Sequence, residues 1–251
     1  MAKNSYFRFK QFTLHQDRCA MKVSSDACLL GAWVASQLQA LHAGRVFRGL
    51  DIGTGTGLLA LMVAQANPGA HLAAVEMDAA AATQAQENAQ ASPWSDRVVV
   101  WPLAIQAMNV PIDGRYEAIV SNPPFFNHSL KSEKGPARNL ARHTDALPYP
   151  DLWAAVARLL APTGRFYLLL PLPEAEVFAA QAGQYQFGLL EKLLIQDSPA
   201  KSPHRVVLTF GPHQQAAPSP ADQLATTTLV VKQANGTYSD AFRALMGPFY
   251  E

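Results

Sequence analysis

Three glycines at every second position, Gly53, Gly55 and Gly57, follow a short apolar run (Val46 to Leu50) and lead directly into Leu58-Leu59-Ala60-Leu61-Met62-Val63-Ala64. An apolar run that breaks at glycines and reopens as strong helix formers reads as a strand, a tight turn and a helix. Glycines in such a turn take positive φ and leave no Cβ between the backbone and a ligand. The helix behind them points free N–H groups and the positive end of its dipole at whatever lies above the turn. A strand–turn–helix unit of this kind belongs in a layered α/β domain.

The rest of the chain supplies the remaining layers. His71 to Glu76, Arg97 to Trp101, Tyr116 to Ser121, Arg165 to Leu170, Leu189 to Ile195 and Arg205 to Phe210 read as further strands. Between them, residues 79 to 91, Asp151 to Leu160 (stopped before Pro162 and Gly164) and 174 to 182 read as helices. Ser24 or Ser25 caps an earlier helix that runs through Trp33; Thr226 to Val231 is β-rich, and Asn235-Gly236 turns into a terminal helix from Ser239 to Met246. The expectation is a mostly parallel, twisted, seven-stranded sheet with helices on both faces and a C-terminal antiparallel strand. Residues 1–45 form an arm and helix over the site, and residues 46–251 the main domain.

With 251 residues, 49% of them hydrophobic, the chain can bury a full core. Cys19 and Cys28 have no metal-ligand or C-x-x-C spacing, so they read as unpaired structural thiols in a reducing cytoplasm. No apolar run approaches the roughly 18 residues of a membrane span, and Met1 to Tyr6 lacks a signal-peptide core. The expectation is therefore a cytoplasmic monomer with no membrane and no metal. A net charge of +1 excludes a globally basic nucleic-acid binder and leaves local patches. Residues 1–22 carry Lys3, Arg8, Lys10, Arg18 and Lys22 against Asp17; residues 131–143 carry Lys131, Lys134, Arg138 and Arg142 against Glu133. Phe7, Phe9 and Phe12 alternate with Arg8 and Lys10 in a segment suited either to stacking bases or to packing on the domain.

A second stretch bears on the chemistry. Asn122-Pro123-Pro124-Phe125 stands at the C-terminal end of the Tyr116 to Ser121 strand, the end at which open α/β sheets bind ligands. Two prolines cannot continue a central strand, so the chain leaves the sheet there in a rigid turn. The polar segment from Phe126 to Pro148 follows at once and reads as a substrate lid. At the end of the second strand, the Glu76 carboxylate can accept two hydrogen bonds from a ribose diol, with Asp78 as the alternative.

The Asp51-Ile52-Gly53-Thr54-Gly55-Thr56-Gly57 string resembles motif I of class I S-adenosylmethionine-dependent methyltransferases, which have a Rossmann-like fold. The Asn-Pro-Pro-Phe string resembles motif IV of their amino-methylating branch. By this resemblance Asp51, Gly53, Thr54, Gly55, Gly57, Glu76, Met77, Ala104, Ile105 and Asn122 hold S-adenosylmethionine. Ala104 stands where the family usually carries an acid for the adenine amino group, which leaves Ile105 packing and backbone contacts for that ring. The resemblance gives Asn122, Pro123, Pro124 and Phe125 the catalytic work: the Asn122 amide oxygen and the Pro123 carbonyl accept the two protons of an exocyclic amine, and Phe125 stacks on the base.

Lys22 to Trp33, Ala85-Gln86-Glu87-Asn88, Ser92-Pro93-Trp94, Pro203-His204-Arg205-Val206, Tyr238-Ser239 and Phe249-Tyr250 resemble a narrower family. These are bacterial tRNA adenine-N6 methyltransferases acting on adenine 37 beside the anticodon of a valine tRNA. The resemblance places Lys22 and Asp26 over the cofactor's methionine end, with Ser24 where the family has glycine. Arg8, Lys10, Lys131, Lys134, Arg138, Arg142, His204 and Arg205 are the candidate RNA contacts. Ribosomal RNA guanine-N2 or adenine-N6 methylation, protein glutamine-N5 methylation and non-catalytic RNA binding are the alternatives.

Overall fold

A computed structural model describes residues 4–112, 114–124, 147–213 and 224–250. Among them, eight strands form one sheet, and Tyr6–Arg8 (β1) and Thr13–His15 (β2) form a separate antiparallel hairpin. The sheet strands are Phe47–Ile52 (β3), Ala70–Val75 (β4), Val98–Trp101 (β5), Tyr116–Ser121 (β6), Leu160–Leu170 (β7), Phe187–Gln196 (β8), Arg205–Pro212 (β9) and Ala225–Val230 (β10). Their order is β10-β8-β9-β7-β6-β3-β4-β5. β9 runs antiparallel to both neighbours, and every other pairing in the sheet is parallel.

This corrects the expected seven strands to eight. The β-rich stretch after residue 224 completes the sheet by pairing with β8, Ala225 opposite Glu191 through Val230 opposite Gln196. β7 also starts earlier than expected, at the residue after the preceding helix ends. The register jumps between the Tyr116–Leu160 and Ala118–Arg165 pairs, so Pro162 and Gly164 lie in a bulge, where proline is tolerated.

Helices cover both faces. Ser25–His42 (α1), Leu58–Ala66 (α2), Ala79–Gln90 (α3) and Asp240–Met246 (α6) contribute to one hydrophobic cluster; Tyr149–Leu159 (α4) and Leu172–Ala179 (α5) contribute to the other. β7 sorts its side chains between the clusters with the two-residue period of a strand. Phe166, Leu168 and Leu170 enter the α4 side, and Tyr167 and Leu169 the α1 side. On the α4 side Trp153 stacks on Phe178 at 4.5 Å and meets Phe210 edge-on at 4.9 Å.

The N-terminal segment belongs to the α1-side core. Phe9, Phe12 and Leu14 are buried, with Phe9 stacked on Phe12 at 4.5 Å and Phe12 against Trp94 at 5.6 Å. The Phe9 and Phe12 aromatics therefore pack on the domain and are not surfaces for stacking bases.

Because all strands but β9 are parallel, one rim of the sheet collects their C-terminal ends. That rim carries the glycine turn after β3, Glu76 after β4, Asn122 after β6, and the start of β9 at Arg205, since Val206 is paired with Leu170.

Candidate active site

The turn between β3 and α2 is built as the glycines require. Gly53, Gly55 and Gly57 have φ of 69°, 56° and 86°. A Cβ placed on Gly53 or Gly55 would meet nothing within 4 Å, so the space above the turn is open to a ligand. Gly53 and Thr54 donate their N–H groups to the Val75 carbonyl at 2.9 and 3.0 Å, which ties the turn to the end of β4.

Asp51 lies under this turn, fully buried. Its Oδ2 accepts from the Thr54 hydroxyl at 2.6 Å and the Ala60 N–H at 3.2 Å; its Oδ1 is buried with no partner. Burial pushes the carboxyl pKa up to about 7, against the opposing pull of those two hydrogen bonds. An orphaned carboxylate oxygen beneath an open glycine turn fits the cationic amino-acid end of a cofactor.

Glu76 is held at the strand end by backbone donors: Oε2 accepts from Gly55 N at 3.0 Å and Oε1 from Asp78 N at 3.0 Å. Each oxygen keeps a further lone pair, enough for a ribose diol. Asp78 has another task, since its side chain caps α3 by accepting from Ala81 N at 2.8 Å. Met77 is exposed beside Glu76. Ala104 precedes the short 3-10 turn Ile105–Ala107, whose Ile105 is buried and offers an apolar wall.

Asn122 stands on the neighbouring strand. Ser121 is paired with Ile52, the residue before Gly53, and its hydroxyl donates to the Ile52 carbonyl at 2.9 Å. Asn122 is thereby set next to the glycine turn, and its Oδ1 is buried with no hydrogen-bond partner among the described residues. Pro123 is buried and Pro124 exposed. Phe125, Lys131, Lys134, Arg138 and Arg142 lie outside the described residues.

Other expected contacts are engaged elsewhere. Lys22 Nζ donates to the Asn4 carbonyl at 2.9 Å, and Lys10 Nζ to the Gly247 carbonyl at 2.7 Å. Asp26 meets His204 Nε2 and Arg205 Nε, each at 3.4 Å, so a residue expected over the cofactor and two expected on RNA form one cluster. Arg8 lies in the exposed β1 strand.

Two residues were missed by sequence reading. Gln84 and Asn88, one turn apart on α3, are both buried. Asn88 exchanges hydrogen bonds with the His15 backbone, N–H and carbonyl each at 2.9 Å, and donates to the Thr56 carbonyl of the glycine turn at 2.9 Å. Gln84 accepts from Arg18 N at 3.0 Å and from Cys19 Sγ at 3.3 Å, and donates to Asp17 Oδ1 at 2.7 Å. Together they dock residues 15–19 along α3. Cys19 is half-buried there, and burial followed by the nearby Glu76 and Asp78 charges pushes its thiol up to about 11. Amides spaced four apart on an alanine-rich helix were the available signal; Gln84 read as a helix former and Asn88 only as part of a family-resembling string, with no role given to either.

Residues 32–147 match the model of the methyltransferase small domain. The chain is 40% identical over 251 residues to a tRNA1(Val) (adenine(37)-N6)-methyltransferase of Dyadobacter fermentans, covering 100% of this chain and 99% of the relative. It is 42% identical over 251 residues, with the same coverage, to a protein of that name from Aeromonas hydrophila. Among solved structures, one described as a predicted O-methyltransferase from Agrobacterium tumefaciens aligns with a TM-score of 0.63 at 20% identity, covering 89% of this chain and 96% of that one. At that identity the likeness speaks for the fold.

Proposed function

Because the chain belongs to the tRNA1(Val) (adenine(37)-N6)-methyltransferase family, we propose that it transfers a methyl group from S-adenosylmethionine to N6 of adenine 37 in a valine tRNA. The observation that carries the mechanism is the buried, unpartnered Oδ1 of Asn122 beside the glycine turn. A buried acceptor without a donor is costly, and a substrate N–H removes that cost.

When bound, S-adenosylmethionine supplies an electrophilic methyl on a sulfonium sulfur. Asp51 and the Gly53–Gly57 turn would hold its amino-acid end, Glu76 its ribose, and Met77 and Ile105 its adenine. The acceptor nitrogen is a poor nucleophile, because its lone pair is delocalised into the purine. Asn122 Oδ1 accepts one N6 proton and the Pro123 carbonyl the other, which lets the nitrogen pyramidalise and aim its lone pair. Phe125 stacks on the base once it has left its own stack, a cheap step in a single-stranded loop. After methyl transfer the cationic nitrogen loses one proton to water, and no side chain has to act as general base.

The protein acts in the cytoplasm as a monomer, with tRNA as its partner. No helix among the described residues is long and apolar enough to cross a membrane. Position specificity is tested with two valine tRNA transcripts, one carrying adenosine and the other guanosine at position 37. Methyl transfer to the first alone is the expected result; equal transfer to both contradicts the assignment.

A further inference from the structure

The catalytic rim is divided by charge. On its β3–β4 half stand Asp51, Glu76 and Asp78, all beside the glycine turn. On the β9–β8–β10 half stand Lys201, His204, Arg205 and Lys232, gathered around two carboxylates. Asp197 follows β8 and meets Lys201 Nζ at 3.0 Å and His204 Nδ1 at 3.9 Å; its backbone carbonyl accepts from Lys232 N at 2.9 Å. A polyanion is repelled by the first half and attracted by the second.

Lys232 is placed by its own turn. It bridges Tyr238 across a loop closed at Asn235–Gly236, where Gln233 N donates to the Thr237 carbonyl at 2.8 Å and Gly236 has a φ of 83°. The Tyr238 ring lies flat on Phe242 at 4.4 Å, and the Lys232 ammonium lies 6.0 Å from the Tyr238 centroid. A ring backed in this way holds a flexible lysine near one position. Lys232 and Lys201 are both exposed, so their charges are available to a partner.

From these placements we infer that the substrate's phosphate backbone runs from Asn122 across the ends of β7, β9, β8 and β10, with Lys201 and Lys232 as phosphate contacts and Tyr238 as the positioning residue for Lys232. From β6 to β10 is four strand spacings, about 19 Å, so these cations meet nucleotides flanking the target base and not the base itself. Exposed pairs such as Lys201–Asp197 are worth little and exchange readily for a phosphate. The inference rests on the RNA-substrate reading given above.

The test measures tRNA binding of the full chain as a function of salt, for wild type, Lys201→Gln/Lys232→Gln, Tyr238→Phe, Tyr238→Ala and Arg45→Gln. Arg45 precedes β3 at the opposite end of the sheet and serves as the charge control. Each lost phosphate contact lowers the slope of log K against log salt by about 0.7 to 0.9. The double lysine variant is expected to lose about twice that and to raise the KM for tRNA several-fold, with S-adenosylmethionine affinity unmoved. Tyr238→Ala is expected to lose about half as much, and Tyr238→Phe to retain the wild-type slope. A wild-type slope in the double variant, or an equal loss in Arg45→Gln, overturns the inference. Wild-type protein that neither binds nor methylates tRNA overturns the substrate reading instead.

Discussion

Among the described residues, Asn122 Oδ1 and Asp51 Oδ1 are orphaned side-chain oxygens next to the glycine turn, and each supports a separate prediction. Asn122→Ala removes the proposed acceptor for the substrate amine and leaves Asp51, the glycine turn and Glu76 in place, so it separates the substrate role of Asn122 from the cofactor role that the resemblance also gives it. Loss of one such transition-state hydrogen bond costs on the order of 10²–10³ in kcat. Single-turnover transfer is expected to fall by at least that much, while calorimetric affinity for S-adenosylmethionine stays within about twofold of wild type. Parallel loss of both would move Asn122 into the cofactor pocket. Asp51 has its carboxyl pKa raised to about 7 by burial, against roughly 3.9 in an unfolded chain. Over that interval the folded state binds more protons than the unfolded state, so the contribution of Asp51 to stability is full below about pH 4 and is lost as pH rises through 7. Asp51→Asn abolishes that loss. Thermal unfolding without cofactor should therefore find the variant gaining on wild type between pH 4 and 8; a constant difference across that range would contradict the raised pKa.

At the scale of elements, the legible features were those with a local cause. The β3 turn announced itself by glycine spacing, and the α1 start by Ser24, whose hydroxyl accepts from Ala27 N at 3.2 Å. The exit from β6 was readable because prolines cannot continue a strand. β10 was harder. It is an edge strand whose Ala225, Thr226, Thr227 and Thr228 are exposed, so it carries little hydrophobic alternation to betray its pairing. The fate of the arm aromatics was hidden for another reason. Phe9 lies 5.9 Å from Tyr250, and Lys10 N bonds the Phe249 carbonyl, contacts made across the whole length of the chain. Asn88 is the clearest case of a tertiary role behind a local pattern, since its amide joins the arm, α3 and the glycine turn. Asn88→Ala leaves the His15 N–H and carbonyl and the Thr56 carbonyl without that partner, at a cost of about 2–4 kcal/mol. The expected outcome is a lower midpoint of denaturant unfolding together with weaker S-adenosylmethionine binding. A variant that is destabilised but binds the cofactor normally would show that the arm does not wall the cofactor site.

On the scale of the whole molecule, one topological fact organises the proposed chemistry: parallel strands bring the glycine turn, the Glu76 carboxylate and Asn122 to a single rim, and β9 enters that rim from the opposite direction with His204 and Arg205. In the proposed reading the β3–β5 half of the eight-stranded order takes the cofactor and the β7–β10 half the substrate. The fold and the position of Asn122 beside the glycine turn were foreseeable from strand, turn and helix signals, whereas the joining of Asp26 to His204 and Arg205 needed the sheet order to be known. What this arrangement methylates is measured directly by transfer from radiolabelled S-adenosylmethionine to total tRNA, total ribosomal RNA and total protein, followed by nucleoside analysis of the labelled fraction. Label in tRNA, recovered as N6-methyladenosine, is the expected result. Label recovered as N2-methylguanosine from ribosomal RNA, or in protein, would contradict it.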